Sequence, residues 1–229
     1  MEDLTGRTGA ARDGGMDPGP GAGVPAELDP IELASLLSSR LCHDLSGAVG
    51  AVLNGLEFIE DEGGRSVDAG ALNLVKQSAE QAARRLAFAR LAFGAYGGAQ
   101  EIEAVEVRGL AEEHFAGGRV TLDWRIAAPR LPRDMAKLLL NLLAVAAGAI
   151  PRGGVLEAAT ETDGRIVLSA RSETARLPVA APILEHGLAG AAEPVDPRTI
   201  QAYLVHALAR RADRRVTVEA HRGLVTFTV

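Results

Sequence analysis

Apolar residues recur at alternating four- and three-residue spacings along two stretches of the chain, and no other feature restricts its fold as much. Ala34, Leu41, Leu45, Val49, Val52, Leu56 and Ile59 form one stripe, and Leu72, Val75, Ala79, Ala82, Leu86, Ala89 and Phe93 form a second. At about 3.6 residues per turn this spacing puts each stripe on one side of an α-helix, as in a coiled coil or bundle. Asp29-Pro30 supplies the start, an N-cap aspartate followed by proline at the first helical position. DEGGRS, Asp61 to Ser66, is a turn between the stripes, and Gly97-Gly98 ends the second. Two long helices joined by a short turn make an antiparallel hairpin. A hairpin cannot enclose a core by itself, so a second copy is expected to complete a four-helix bundle in a homodimer. The alternative is that the rest of the chain covers the stripe.

After residue 99 the pattern changes. Short strands are expected at Ile102–Val105, Arg119–Ile126, Val155–Thr162, Arg165–Ser172, Arg215–His221 and Leu224–Val229. Helices are expected at Val107–Phe115, Arg133–Ile150 and Pro197–Arg211, with a loop-rich region and one short helix over 175–195. Val216, Val218 and Ala220 alternate with Thr217 and Glu219, the period of a half-buried strand. Asp163-Gly164 reads as a hairpin turn. The order β-α-β-α-β-β-α-β-β implies an open mixed sheet with helices on one face, an α+β sandwich. The expected domains are therefore a tail over 1–28, a helical hairpin over 29–98 and an α/β sandwich over 99–229.

Composition narrows the classes. Residues 1–28 are rich in Gly and Pro with almost nothing to bury, which reads as a disordered tail. They lack the apolar core of a signal peptide, and no run in the chain approaches the ~20 apolar residues that span a bilayer. A formal charge of −6 argues against non-specific nucleic-acid binding. The single cysteine, Cys42, excludes an internal disulfide and any multi-cysteine zinc site. A cytoplasmic protein without membrane or nucleic-acid partners is expected.

The chemistry concentrates in SSRLCHDLSGAVGAV, Ser38 to Val52. With the stripe turned inward, His43 lies about 160° from Leu45, on the outer face. Arg40, Gly47, Gly50 and Asn54 share that face, with Leu36 and Phe58 at its ends. Each glycine weakens a helix by about 1 kcal/mol relative to alanine. Here they strip the turns below the histidine, so another folded protein can approach it. The neutral, nucleophilic form of an imidazole is abundant near neutral pH. Asp44 can accept from Nδ1 and fix the tautomer that presents Nε2. A lone His-Asp pair on a helix is more often two solvated residues. Cys42, His43 and Asp44 are consecutive and point in three directions, which disfavours a metal site.

R-x-C-H-D-L, followed by N-G-L-E beginning eleven residues after the histidine, together with the hairpin and the β-α-β-α-β-β module, resembles the sensor histidine kinases. It resembles more closely the ChpT-type histidine phosphotransferases of alphaproteobacteria, over about residues 30 to 229. The resemblance implies a dimerising hairpin followed by a degenerate histidine-kinase ATPase-like sandwich. It places His43 at the phosphoacceptor position and Asp44 at its acidic neighbour. It also implies that the phosphoryl group arrives from the receiver aspartate of a hybrid kinase and leaves to the receiver domains of response regulators. The proline that kinases carry five residues after the histidine is Ala48 here, so no proline kink is expected.

KLLLNLLAVAAGAI resembles the kinase asparagine box, and Asn141-Leu142-Leu143 fits. The second asparagine, which holds Mg²⁺ in kinases, is Val145, and a hard cation needs oxygen ligands. No D-x-G-x-G loop follows, since Gly187-Leu188-Ala189-Gly190 lacks the aspartate. No ATP, metal or other cofactor bound by this chain is expected, and Mg²⁺ is expected from the partner receiver. His43 and Asp44 are the expected catalytic pair. Leu36, Ser39, Arg40, Gly47, Gly50, Asn54 and Phe58 are the expected docking residues, although Arg40 could equally be a solvated arginine. The remaining histidines, His114, His186, His206 and His221, read as ordinary surface or boundary residues, and Trp124 as core. An active histidine kinase and a non-catalytic receiver-binding module are the competing classes.

Overall fold

A computed structural model of the chain describes residues 27–61, 69–94 and 100–229. The turn after Asp61, the Gly97-Gly98 end and the tail over residues 1–26 lie outside the described residues. Helix α1 runs Pro30–Asp61 and helix α2 Ala69–Ala92. The N-cap works as its residue type requires: Asp29 Oδ1 accepts from the Ile31 N–H at 2.9 Å and the Glu32 N–H at 3.3 Å. Order extends back past this cap, because the Leu28 N–H donates to the Tyr203 hydroxyl at 2.9 Å. The expected tail over 1–28 therefore ends before Leu28.

The helices meet one residue back from the predicted stripe. Ala48 and Gly55 are buried on α1, and Ala71 and Ser78 on α2. A Cβ at Gly55 would come within 2.6 Å of Val75 Cγ2, so this glycine permits the close approach. Only part of the stripe faces outward, since Leu41, Leu45, Val52 and Val75 are half-buried. Val49, Leu56, Leu72 and Leu86, with Leu53 beside them, are each about half exposed, between 44% and 56%. Small residues let the two backbones touch, and the large ones are left for another surface.

From residue 100 the chain builds a two-layer module. Strand β1 (Glu101–Glu103) leads into helix α3 (Ala104–Phe115), followed by β2 (Val120–Arg125), β3 (Arg130–Pro132) and helix α4 (Arg133–Ala147). Strands β4 (Gly154–Thr160) and β5 (Ile166–Arg171) precede helix α5 (Ala181–His186), and a 3₁₀ turn at Gly187–Gly190 leads on. Helix α6 (Ile200–Arg211) and strands β6 (Thr217–His221) and β7 (Leu224–Thr228) complete it. The main sheet has the order β2-β4-β5-β7-β6, with β2 and β4 parallel and the other pairs antiparallel. This is the expected open mixed sheet with two differences. The first expected strand leaves the main sheet and pairs instead with the unexpected β3, Ile102 opposite Leu131. The helix after it starts at Ala104 rather than Val107.

Register explains the single buried face. Leu122 pairs with Leu156, Leu156 with Ala170 and Ala170 with Val225, so apolar side chains line up across four strands. They pack under α4, whose Leu138, Leu139, Leu140, Leu142 and Leu143 are all buried. The core continues into the hairpin: Phe88, Leu91 and Ala92 of α2 belong to it, and Leu33, Leu36 and Leu37 of α1 pack against it. The α/β module thus covers the base of the stem and leaves the outer stripe open. Among the described residues no helix is long and apolar enough to cross a membrane.

Candidate functional site

The base of the stem decides what surrounds His43. Asn141 is fully buried, its amide donating to Ala92 O and Lys137 O, each at 2.8 Å, while its oxygen accepts from Gln201 Nε2 at 3.1 Å. One side chain thereby ties the end of α2 to α4 and α6. Arg40 adds a second tie, its Nη1 reaching Pro197 O and Arg198 O, each at 3.4 Å. With the α/β module held against α1 in this way, a cleft of about 680 Å³ opens between stem and module. His43, Asp44, Arg40 and Gly47 line its α1 side, Arg85 and Phe88 its α2 side, and His114 and Phe115 its far wall.

His43 stands at the mouth with its side chain 81% exposed. Asp44 Oδ1 lies 3.4 Å from His43 Nδ1, the outer limit of an N–H···O hydrogen bond. Asp44 Oδ2 accepts from Arg40 Nε at 2.8 Å, so the carboxylate is held from one side and turned toward the imidazole on the other. Consecutive residues on a helix diverge by about 100°, yet the His43 ring and the Asp44 carboxylate approach to 3.4 Å.

The other expected docking residues separate into three groups. Gly47 is exposed and Gly50 half-buried, and a Cβ on either would meet nothing within 4 Å, so the surface below the imidazole is bare. Ser39, Asn54 and Phe58 are exposed, the last two farther along the stem and away from the module. Leu36 is a correction. It packs against the core of the α/β module, because the outer face of α1 becomes an internal face near its N-terminus. Arg40 is corrected in part, since its guanidinium is already engaged by Asp44 and two backbone carbonyls rather than solvated.

Two residues of the cleft escaped the sequence reading. Arg85 crosses from α2, and its Nη1 donates to the main-chain oxygen of Asp44. His114 is a boundary residue as expected, half-buried, but not an ordinary one: its ring stacks on Phe88 at a centroid distance of 3.9 Å, with Phe115 edge-on at 5.0 Å. Its Nδ1 is buried without a hydrogen-bond partner among the described residues. Burial, and then the neighbouring Arg85 charge, push its pKa down to about 4. Spacing could not flag either residue, because each gains its meaning from a partner on another element. Among the described residues no group of three His, Cys, Asp or Glu side chains is placed to hold a metal ion.

This arrangement offers an accessible nucleophile, a carboxylate to orient it, and room for a macromolecular visitor. Comparison with known proteins agrees. Residues 104–223 match the family described as the histidine phosphotransferase C-terminal domain. Over 210 residues the chain is 39% identical to the protein phosphotransferase ChpT of Brucella abortus (strain 2308), covering 90% of this chain and 98% of that relative. A solved structure described as a bacterial phosphotransferase at 1.7 Å resolution superposes with a TM-score of 0.79 at 36% identity, covering 90% of this chain and 98% of the other. Such a phosphotransferase works between partner kinase and regulator proteins. The chain belongs to the histidine phosphotransferase family, and its activity is the phosphoryl transfer of a phosphorelay.

Proposed function

We propose that His43 is the phosphoryl carrier and that the cleft beside it receives the receiver domains that load and unload it. The observation behind this reading is the exposed imidazole at the mouth of the cleft, with Asp44 facing its Nδ1. Nε2 attacks phosphorus of a receiver's phospho-aspartate. The N–P bond forms as the P–O bond breaks, and the bonding electron pair leaves with the aspartate carboxylate. The proton stays on Nδ1, where Asp44 offsets the positive charge that develops on the ring. Transfer to a second receiver runs the same steps in reverse. Phosphoryl transfer depends mainly on alignment and charge neutralisation, and the Mg²⁺ that neutralises the phosphoryl oxygens belongs to the receiver.

The bare turns at Gly47 and Gly50 admit the visitor, and Asn54 and Phe58 extend the contact along the stem. A small, transient interface suits a relay that must release what it binds. A carrier rather than an ATP-dependent kinase is supported by Asn141, whose amide is committed to three internal hydrogen bonds and presents no oxygen outward. A homodimer is supported by the open stripe of Val49, Leu53, Leu56, Leu72 and Leu86 on the stem. Such a contiguous apolar face on one hairpin is what a second copy would cover in a four-helix bundle.

The test is transfer from a phosphorylated receiver domain. The chain should acquire an acid-labile, alkali-stable phosphate, and His43→Ala should abolish it. A label that persists in the variant ends the proposal.

A further inference from the structure

Arg85 is half-buried between the stem and the far wall of the cleft, beside Phe88 and His114. Among the described residues its one hydrogen bond is to a neutral group, the main-chain oxygen of Asp44. Among the described residues no carboxylate lies within ion-pair distance of it. The neighbouring arginines differ. Arg40 is paired with Asp44 at 2.8 Å, and Arg84 has Glu80 and Glu113 at 3.8 Å. The Asp44 carboxylate does not pair with Arg85: one of its oxygens takes Arg40 and the other faces His43. The ring of His114, which burial and Arg85 itself keep neutral near pH 7, brings no negative charge in either protonation state. A partly desolvated guanidinium held only by a carbonyl retains most of its capacity for an anion.

The one group in this cleft that changes charge during the reaction is His43. A phosphoryl group brings about −1.5 to −2 charge and three strong acceptor oxygens. Arginine presents a planar fork of donors that suits phosphoryl oxygens. We propose that Arg85 is the chain's own phosphoryl-binding cation. It shifts from, or shares, the Asp44 carbonyl and pairs with the phosphoryl oxygens on His43. This stabilises the phosphohistidine in the interval after one receiver has left and before the next arrives. Arg40 holds the carboxylate that orients the imidazole, and Arg85 holds the cargo. The inference rests on His43 being the phosphoacceptor, and the experiment separates the two claims.

Potassium phosphoramidate, a small chemical phosphoryl donor, allows the test without a partner protein. Wild-type chain, Arg85→Gln, Arg85→Lys and His43→Ala are incubated with it. Phosphohistidine is followed by ³¹P NMR, and its decay is timed after the donor is removed. Wild type should be labelled at His43, and in Arg85→Gln the phosphohistidine should decay about tenfold faster, the loss expected for one charge-assisted contact. Arg85→Lys should fall between them. The phosphoryl ³¹P titration should lie at higher pH in Arg85→Gln than in wild type, a change that a purely structural role would not produce. Where Arg85→Gln folds poorly, the same two readouts on Arg85→Lys decide the matter. Equal lifetimes and superimposable titrations in wild type and variants overturn the role of Arg85 while leaving His43 in place. Absence of label at His43 in the wild type overturns both.

Discussion

The neutral His114 makes the fold sensitive to acid between about pH 7 and pH 4. Its pKa lies at about 4 in the folded chain, against 6.5 for a free imidazole, chiefly because burial disfavours the charged ring and secondly because Arg85 repels it. Between these two pH values the unfolded chain holds a proton that the folded chain does not. Lowering the pH therefore favours unfolding, with no further effect from this group above about pH 7 or below about pH 4. At about 1.4 kcal/mol per pKa unit, the full shift corresponds to about 3 kcal/mol. Between pH 7 and pH 5, and discounted for the partial exposure of the ring, about 1–2 kcal/mol should be lost. Urea unfolding at both pH values measures this directly, with equal m-values required. His114→Phe keeps an aromatic ring against Phe88 and removes the titration, so its stability should change much less across the same interval. An identical loss in the variant would show that the ring is not held neutral in the cleft. A wild type indifferent to pH would show the same.

Three further outcomes follow from the geometry. Asn141→Leu strands Ala92 O and the Gln201 amide in a buried site, and should cost about 2–4 kcal/mol in urea unfolding. A Cβ at Gly47 meets nothing within 4 Å and leucine replaces a poor helix former, so in Gly47→Leu thermal unfolding should be unchanged or slightly raised while transfer from a phosphorylated receiver falls sharply. Normal transfer in that variant would move the docking face elsewhere. The double variant Val49→Lys/Leu56→Lys places two charges on the exposed apolar face of the stem, and light scattering should report a monomer, against the dimer proposed for the wild type. Its circular dichroism should still show helix, because neither residue lies on the hairpin's own contact line.

Much of this architecture can be read along the chain because it is set by local rules. Helix periodicity, the Asp29 cap and the Asp163-Gly164 turn each depend on a few consecutive residues. The structure follows all three, Gly164 taking a φ of 83° where the turn requires it. The turn of His43 away from Leu45 is likewise a matter of 100° per residue. Strand β3 was not legible, since three residues carry no period and exist as a strand only because β1 lies opposite. The hairpin contact line through Ala48 and Gly55 was also missed. Small residues contribute little to an apolar stripe, although they are what lets two helices approach closely.

Local sequence settles the long helices, the strands of the five-stranded sheet, and the way the candidate nucleophile points. Those properties follow from the geometry of one turn or one pleat. Tertiary structure decided that Leu36 packs, partly buried, against the core of the α/β module, that Arg40 is already engaged, and that Arg85 and His114 complete the cleft beside His43. These four roles depend on contacts between elements far apart in the chain. Burial and charge pairing there are set by which surfaces the core brings together, a property that no short window of residues encodes.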